Sequence, residues 1–211
     1  MFRTQEEERF NAKSHLASSI FCAISFFMVS STVCLNLLQS LTLFIMCAFS
    51  SWTFCSSFLY HNHQEFYIKF RNRFVDKVGI YFLIMASGLS FSMTTGNNAF
   101  IVVNSLTIIT ATCFLILRLC LSGDNSETFT LTSYILLGWF CIMPVTGIFI
   151  DTSFSQGPQL WLLLTGTMLY LVGVIFYVLD RFKWFHGAWH IASFLGFFFH
   201  SMSILFAMKI F

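Results

Sequence analysis

Charged residues are scarce in this chain, and their scarcity excludes a water-soluble globular protein. Only 9% of the 211 residues are charged and 57% are hydrophobic, whereas a soluble domain usually carries about 25% charged residues. Apolar runs recur along nearly the whole chain, and they have the length, roughly 17–25 residues, that crosses a bilayer as a helix. The composition therefore predicts a polytopic membrane protein.

Alternation of polar and apolar residues is also missing, which argues against a transmembrane β-barrel. A membrane-spanning backbone is either helical or part of a closed barrel, and barrel strands alternate in polarity. The runs in this chain are apolar on every side. No small-residue cleavage site follows the first run, so we expect that run to be retained as a helix and not removed as a signal peptide.

A strong net charge and a paired cysteine pattern are absent as well. The formal net charge of +2 is too small to indicate a nucleic-acid partner. The seven cysteines include no CxxC pair, and most lie in apolar runs, where cysteine behaves as a small hydrophobic residue. We therefore expect neither a disulfide framework nor a thiolate metal site.

The chain does contain seven apolar runs separated by polar breaks. They predict an all-α bundle of seven transmembrane helices. We expect one domain over residues 1–211, because the loops are too short to hold a second, with residues 1–14 as a cytoplasmic N-terminal segment. The predicted spans are about 16–36, 40–60, 77–96, 98–118, 129–150, 159–179 and 187–209.

The basic residues predict the orientation of the bundle. With seven spans, ten of the eleven lysines and arginines lie on the side of the N-terminus, and Lys209 alone lies opposite. Cytoplasmic segments of membrane proteins carry the excess of basic residues. We therefore expect a multi-pass protein of the cell membrane with its N-terminus in the cytoplasm and its C-terminus outside.

Ionisable residues that are far apart in the sequence converge on the cytoplasmic end of this topology. Ser57 and His61 end the second span, Asp76 lies at the start of the third, and His186 and His190 occupy the first turns of the seventh. His186 and His190 are four residues apart, so they share one helix face. Ionisable side chains within membrane helices are functional candidates by default.

These residues predict a zinc site. Neutral imidazoles bind Zn²⁺, and catalytic zinc usually has three protein ligands and a water, so His61, His186 and His190 are the expected ligands. Asp76 is expected to hold the water or to orient a ligand. Ser57 lies one turn before His61 and is expected to hydrogen-bond to the water or to the substrate.

Two structural alternatives stay open at this point. Histidines near a helix end are also typical of a wet membrane interface. Asp76 has basic neighbours, Arg73 and Lys77, and an ion pair with either would give it a purely structural role.

The other three histidines are not expected to bind the metal. His200 lies ten residues beyond His190, about 15 Å deeper in the helix, so we expect it to be buried and hydrogen-bonded. His63 lies in the charged segment after the second span, and His15 lies at the start of the first. Both are expected to be solvated, and His15 is also a candidate for a contact in the cleft.

Several motifs together resemble a known family. The SxxxH of the second span, the aspartate of the third and the HxxxH of the seventh are similar to the membrane hydrolase-like superfamily, which includes alkaline ceramidases and the progestin and adipoQ receptors. The closest resemblance is to another member, the bacterial haemolysin III proteins. It extends from about Glu7 to His200 and rests on residues 7–15 (EERFNAKSH), 166–177 (GTMLYLVGVIFY) and 186–200 (HGAWHIASFLGFFFH).

The resemblance implies a seven-helix fold and zinc held by His61, His186 and His190, with Asp76 and Ser57 near the water. Two functions are compatible with it. One is a zinc-dependent hydrolase of amides or esters in membrane lipids, with a small lipid molecule as substrate. The other is a non-catalytic receptor-like or membrane-homeostasis protein, or a cytolysin, in which zinc is structural. Membrane lipids are the expected partners in both, and the sequence does not indicate an oligomeric state.

Overall fold

The structure is a computed structural model that describes residues 3–95, 98–120, 124–147 and 157–209. Over these residues the chain is all-α, with seven helices and no strand, which confirms the predicted fold class. The helices are α1 (Gln5–Thr32), α2 (Leu37–Asn62), α3 (Phe66–Thr95), α4 (Asn98–Cys120), α5 (Asp124–Gly147), α6 (Pro158–Val178) and α7 (Phe185–Ala207).

Five of these helices are long and apolar enough to cross a membrane, namely α1, α2, α3, α6 and α7. In α4 the apolar stretch is shorter, Asn104–Leu117. A chain with five such helices in its described part is a multi-pass membrane protein. The count of seven spans and the cytoplasmic N-terminus stay predictions.

Two helices begin well before the predicted spans. Helix α1 begins at Gln5 and not near residue 16, and α3 begins at Phe66 and not near residue 77. The segment from His61 to Asp76, predicted as a charged loop, is therefore helical except at residues 63–65. The reason is that charged residues end an apolar run without ending a helix, because lysine, arginine and glutamate are good helix formers.

Glu7 fixes the start of α1 and ties it to the start of α7. Thr4 Oγ1 accepts a hydrogen bond from the Glu7 amide at 3.3 Å, and Glu7 Oε2 accepts one from the Thr4 amide at 3.0 Å. This reciprocal pair is a capping box. The other carboxylate oxygen of Glu7 accepts from the backbone amide of Trp184 at 2.8 Å. Trp184 directly precedes α7 and has a φ of 68°.

Helix α7 packs mainly on α6 and also on α1 and α3. Helix α2 packs between α1 and α3. At one end of the bundle, Gln39 at the start of α2 donates to the carbonyl of Met208, just after α7, at 3.0 Å. At the other end, the start of α1 meets the end of α2 and the start of α7. We call this second end the histidine end, because His61 and His186 lie there.

The core between these helices is apolar. Five buried side chains from four helices illustrate it: Leu43, Phe54, Leu83, Leu163 and Phe197. Cys22 and Cys47 are also part of this core, as expected of cysteine in apolar runs. The polar residues at the histidine end therefore adjoin a hydrophobic core.

Glycines let α6 approach α7 closely. A Cβ atom at Gly166 would lie 2.4 Å from Cδ2 of His200 and 2.8 Å from the carbonyl oxygen of Gly196. A Cβ atom at Gly196 would in turn lie 2.9 Å from the ring of Tyr170. Small residues at such positions allow membrane helices to pack at short range. The spacing of α6 and α7 therefore depends on the absence of side chains at these two positions.

We expect Gly166→Ala to destabilise the protein, because the added methyl group would meet a backbone carbonyl that cannot rotate away. Overpacking of this kind costs about 1–3 kcal/mol. The measurement is the free energy of unfolding in detergent micelles. Gly138→Ala in α5 is the matched control, since a Cβ atom there meets nothing within 4 Å. Equal stability of the two variants would contradict the close packing of α6 on α7.

Candidate metal centre

His61 lies in the last turn of α2 with its side chain fully buried. Its Nδ1 atom lies 2.6 Å from Oε2 of Glu8 in α1. A carboxylate only accepts hydrogen bonds, so this contact places a hydrogen on Nδ1. In the neutral ring the Nε2 atom then carries the lone pair, and it lies 3.1 Å from Nε2 of His190. The lone pair of His61 thus faces the ring of His190.

His190 is the central residue of the cluster. It lies in the second turn of α7 and is only 6% exposed. One ring nitrogen, Nε2, faces His61, and the other, Nδ1, lies 2.7 Å from Nε2 of His15. His190 therefore joins side chains from α1 and α2 to α7.

His15 is a member of this cluster, so the prediction that it is solvated was wrong, and the expected contact in the cleft is present. It is only 4% exposed, because α1 begins at Gln5 and His15 lies nearly three turns inside the helix. Ligand atoms of His15, His61 and His190 all lie within 4.8 Å of one another, close enough to hold a metal ion. One face of α1 carries a polar stripe formed by Glu8, Asn11 and His15, which are spaced three and four residues apart in the sequence. This spacing was the signal that His15 faces the bundle.

His186 contacts the same cluster without belonging to that compact group. Its ring centroid lies 4.4 Å from that of His190 and 5.3 Å from that of His61. Its Nδ1 atom lies 2.9 Å from Nη2 of Arg3 and 3.3 Å from Oδ2 of Asp180. Arginine can only donate, so Nδ1 either accepts from Arg3 or donates to Asp180. In the tautomer that donates from Nδ1 to Asp180, the lone pair is on Nε2, where an ion can bind.

Arg3 and Asp180 form an ion pair beside His186, with Nη2 and Oδ2 2.5 Å apart. Partial burial by itself would raise the pKa of Asp180, but the hydrogen bonds from His186 and Arg3, with their charges, hold the pKa below its ordinary value. Asp180 is therefore ionised at neutral pH and able to accept a hydrogen from His186.

Glu8 is a site residue that the sequence analysis did not identify. Besides its contact with His61, it accepts a hydrogen bond from Nζ of Lys69 at 2.9 Å, and Nη1 of Arg3 lies 3.9 Å from the same oxygen, Oε1. Two cations thus face Oε1 of this carboxylate, and its other oxygen, Oε2, faces the imidazole of His61.

Asp76 and Ser57 lie beside His61, as the topology predicted. Ser57 precedes His61 by one turn of α2, and its hydroxyl donates to Oδ1 of Asp76 in α3. Asp76 also interacts electrostatically with His61. The pair therefore adds one acidic and one hydroxyl group to the same end of the bundle.

A cavity of about 210 Å³ reaches the cluster from within the bundle, and His15 and His190 line one part of it. Its other lining residues are mostly apolar and come from α2, α3, α5, α6 and α7. His200 lines it ten residues beyond His190, buried and 3.3 Å from Oγ1 of Thr167. The prediction that His200 is buried and hydrogen-bonded is confirmed.

His63 does not join the cluster among the contacts that the structure describes. Its Nδ1 atom lies 2.8 Å from the carbonyl oxygen of Leu59 at the end of α2, and the residue is half-buried. It is therefore a suitable control residue for the histidines of the cluster.

Comparison with known proteins agrees with the motifs. The sequence model of the family described as haemolysin-III related matches residues 3–201, which include every histidine and acidic residue of the cluster. No curated protein and no solved structure matches the chain. Since the family match covers nearly the whole sequence, the chain belongs to the haemolysin-III-related family.

Proposed function

We propose that this protein binds Zn²⁺ through Nε2 of His61, His186 and His190 and hydrolyses an amide or ester bond of a membrane lipid. The observation that carries the proposal is the pair of Nε2 atoms of His61 and His190, 3.1 Å apart. The ring of His186 lies against both, and an apolar cavity reaches His190.

The donor atoms fit a metal ion of this kind. Imidazole nitrogens suit zinc. When His61 and His190 both carry their hydrogen on Nδ1, their two Nε2 lone pairs face each other at hydrogen-bonding distance. That arrangement is repulsive unless a cation lies between them. Nδ1 of His61 already has an acceptor in Glu8, and Asp180 serves the same purpose in the tautomer of His186 whose hydrogen is on Nδ1.

A bound Zn²⁺ would lower the pKa of water from about 15.7 to roughly 7 and polarise a carbonyl group. In the proposed reaction, Asp76 takes the proton from the attacking water as general base and returns it to the leaving nitrogen or oxygen as the C–N or C–O bond breaks. Ser57 donates its hydroxyl hydrogen to Asp76 in the resting site and to the developing oxyanion during attack. The positions of both groups beside His61 support these roles.

The lipid substrate is proposed from the surroundings of the cluster. The cavity that contacts His15 and His190 is lined by side chains such as Phe54, Leu83 and Leu163, and a hydrocarbon chain is the ligand part that such a lining favours. The scissile bond would then lie at the histidine end, with the apolar part of the lipid in the cavity. This lining also excludes bulk water from the reacting groups.

The experiment is a hydrolysis assay on the purified, zinc-loaded protein with a lipid extract of its native membrane. Mass spectrometry should detect a released fatty acid or lipid base. Removal of zinc with a chelator should stop the release, and added Zn²⁺ should restore it. A fully zinc-loaded protein that releases nothing from the extract would refute the hydrolase.

A second candidate function is favoured by His15, because one of its ring nitrogens lies within 4.8 Å of ligand atoms of His61 and His190. If His15 were a fourth ligand, four protein ligands would close the site and leave no position for water, as in structural zinc sites. The protein would then be a non-catalytic member of its family, with a receptor-like or membrane-homeostasis role. Zinc removal would lower its melting temperature, and no lipid would be hydrolysed.

A further inference from the structure

We propose that Glu8 and His15 of α1 are positioning residues of the metal site, Glu8 for His61 and His15 for His190. The inference rests on the proposed zinc site. It adds that the first helix sets the affinity for the ion without contacting the ion itself.

The contact between Glu8 and His61 supports the first half. Oε2 of Glu8 accepts from Nδ1 of His61 at 2.6 Å, and Nζ of Lys69 donates to the other oxygen, Oε1, at 2.9 Å. Lys69 is therefore placed to keep the carboxylate ionised and fixed in direction. A metal-binding imidazole almost always donates its second N–H to such an acceptor, which selects the tautomer and makes the ring a stronger ligand.

The contact between His15 and His190 supports the second half. If Nε2 of His190 binds an ion, its Nδ1 atom must carry a hydrogen, and Nε2 of His15 lies 2.7 Å away as an acceptor. His15 is itself held by a ring contact with Phe54, with centroids 5.9 Å apart and planes inclined by 29°. A fixed neutral imidazole is thus the acceptor that His190 needs.

Both positioning groups come from one helix whose start is anchored. The Glu7 carboxylate accepts from Trp184 directly before α7, so the face of α1 that carries Glu8 and His15 is tied to the element that carries His190. Loss of an outer acceptor typically lowers metal affinity about 10–100-fold. We therefore expect α1 variants to weaken binding while the number of nitrogen ligands stays the same.

The test is a titration of the metal-free, full-length protein in detergent with Co²⁺, whose visible absorption reports the ligands and geometry of the site. Glu8→Leu and His15→Phe remove the acceptors, and the Phe ring preserves the packing on Phe54. Glu8→Gln and His15→Gln restore a carbonyl oxygen as acceptor. Glu6→Leu, exposed on the same turn of α1, and His63→Phe are the matched controls.

We expect Co²⁺ affinity to fall about 10–100-fold in Glu8→Leu and His15→Phe, to recover partly in the two Gln variants, and to stay at the wild-type value in the controls. The absorption spectrum at saturation should be the same in all of them. Wild-type affinity in both acceptor-deleting variants would overturn this inference but would leave the proposed zinc site standing. A His15→Phe spectrum that shows one nitrogen ligand fewer would make His15 a ligand and overturn its positioning role. Failure of the wild type to bind Co²⁺ or Zn²⁺ would refute the proposed site itself.

Discussion

His190→Ala is expected to remove the bound zinc almost completely and to abolish lipid hydrolysis with it. His190 contacts His61 through one ring nitrogen and His15 through the other, so its loss deletes one proposed ligand and also removes the contacts that join these two side chains to α7. A catalytic zinc site has only three protein ligands, and we expect the metal content to fall from about one ion per chain to near zero. The measurement is metal analysis of the purified protein by mass spectrometry.

His200→Ala is the matched control for this prediction. His200 lies on the same helix and is also buried, but it contacts Tyr170 and Thr167 and not the cluster. Both variants lose a buried imidazole, and His200→Ala should keep its zinc. Equal zinc contents in the two variants would contradict the assignment of His190 as a ligand.

Asp76→Asn is expected to lower the rate of hydrolysis by about 10²–10⁴-fold, the usual contribution of a general base. An asparagine of the same shape can still accept the hydrogen bond from Ser57, but it cannot take a proton from water. The zinc content should therefore stay at the wild-type value. Initial rates in the lipid assay and metal analysis of the same sample test both parts.

Two results would contradict this role for Asp76. An asparagine variant that hydrolyses lipid at the wild-type rate would show that no proton passes through this carboxylate. A variant that loses its zinc would show that Asp76 holds the metal site together. Glu65→Gln, in the exposed loop between α2 and α3, removes one carboxylate without touching the cluster and should change neither quantity.

The convergence of His61, His186 and His190 was predictable from the sequence, because apolar length and charge asymmetry decide which helix ends share a membrane face. The same reasoning placed Ser57 and Asp76 at about the same depth on one side, and the structure joins them by a hydrogen bond. Charge patterns indicate which helix ends lie at the same end of the bundle. They do not fix the rotation of each helix about its axis.

Helix rotation is why Glu8 and His15 were not recognised. Glu8 meets His61 across 53 positions of sequence, and His15 meets His190 across 175. Both contacts depend on which face of α1 is turned toward the bundle. The prediction that His15 is solvated also followed from starting the first helix near residue 16, whereas the capping box of Thr4 and Glu7 starts it at Gln5.

The choice between a hydrolase and a structural zinc site depends on side-chain geometry that no sequence pattern carries. His15 and His186 both lie beside His190, at ring-centroid distances of 4.0 and 4.4 Å. His186 lies four residues from His190, the spacing expected of a ligand pair, and His15 has a ring nitrogen 2.7 Å from Nδ1 of His190. The ligand set is therefore the point on which the whole account depends.

X-ray absorption at the zinc edge of the purified wild-type protein tests this point most directly. We expect a four-coordinate zinc ion with three imidazole nitrogens at about 2.0–2.1 Å and one oxygen from water at a similar distance. A protein without zinc, a shell of oxygen atoms alone or a shell of four imidazoles with no oxygen would contradict the account.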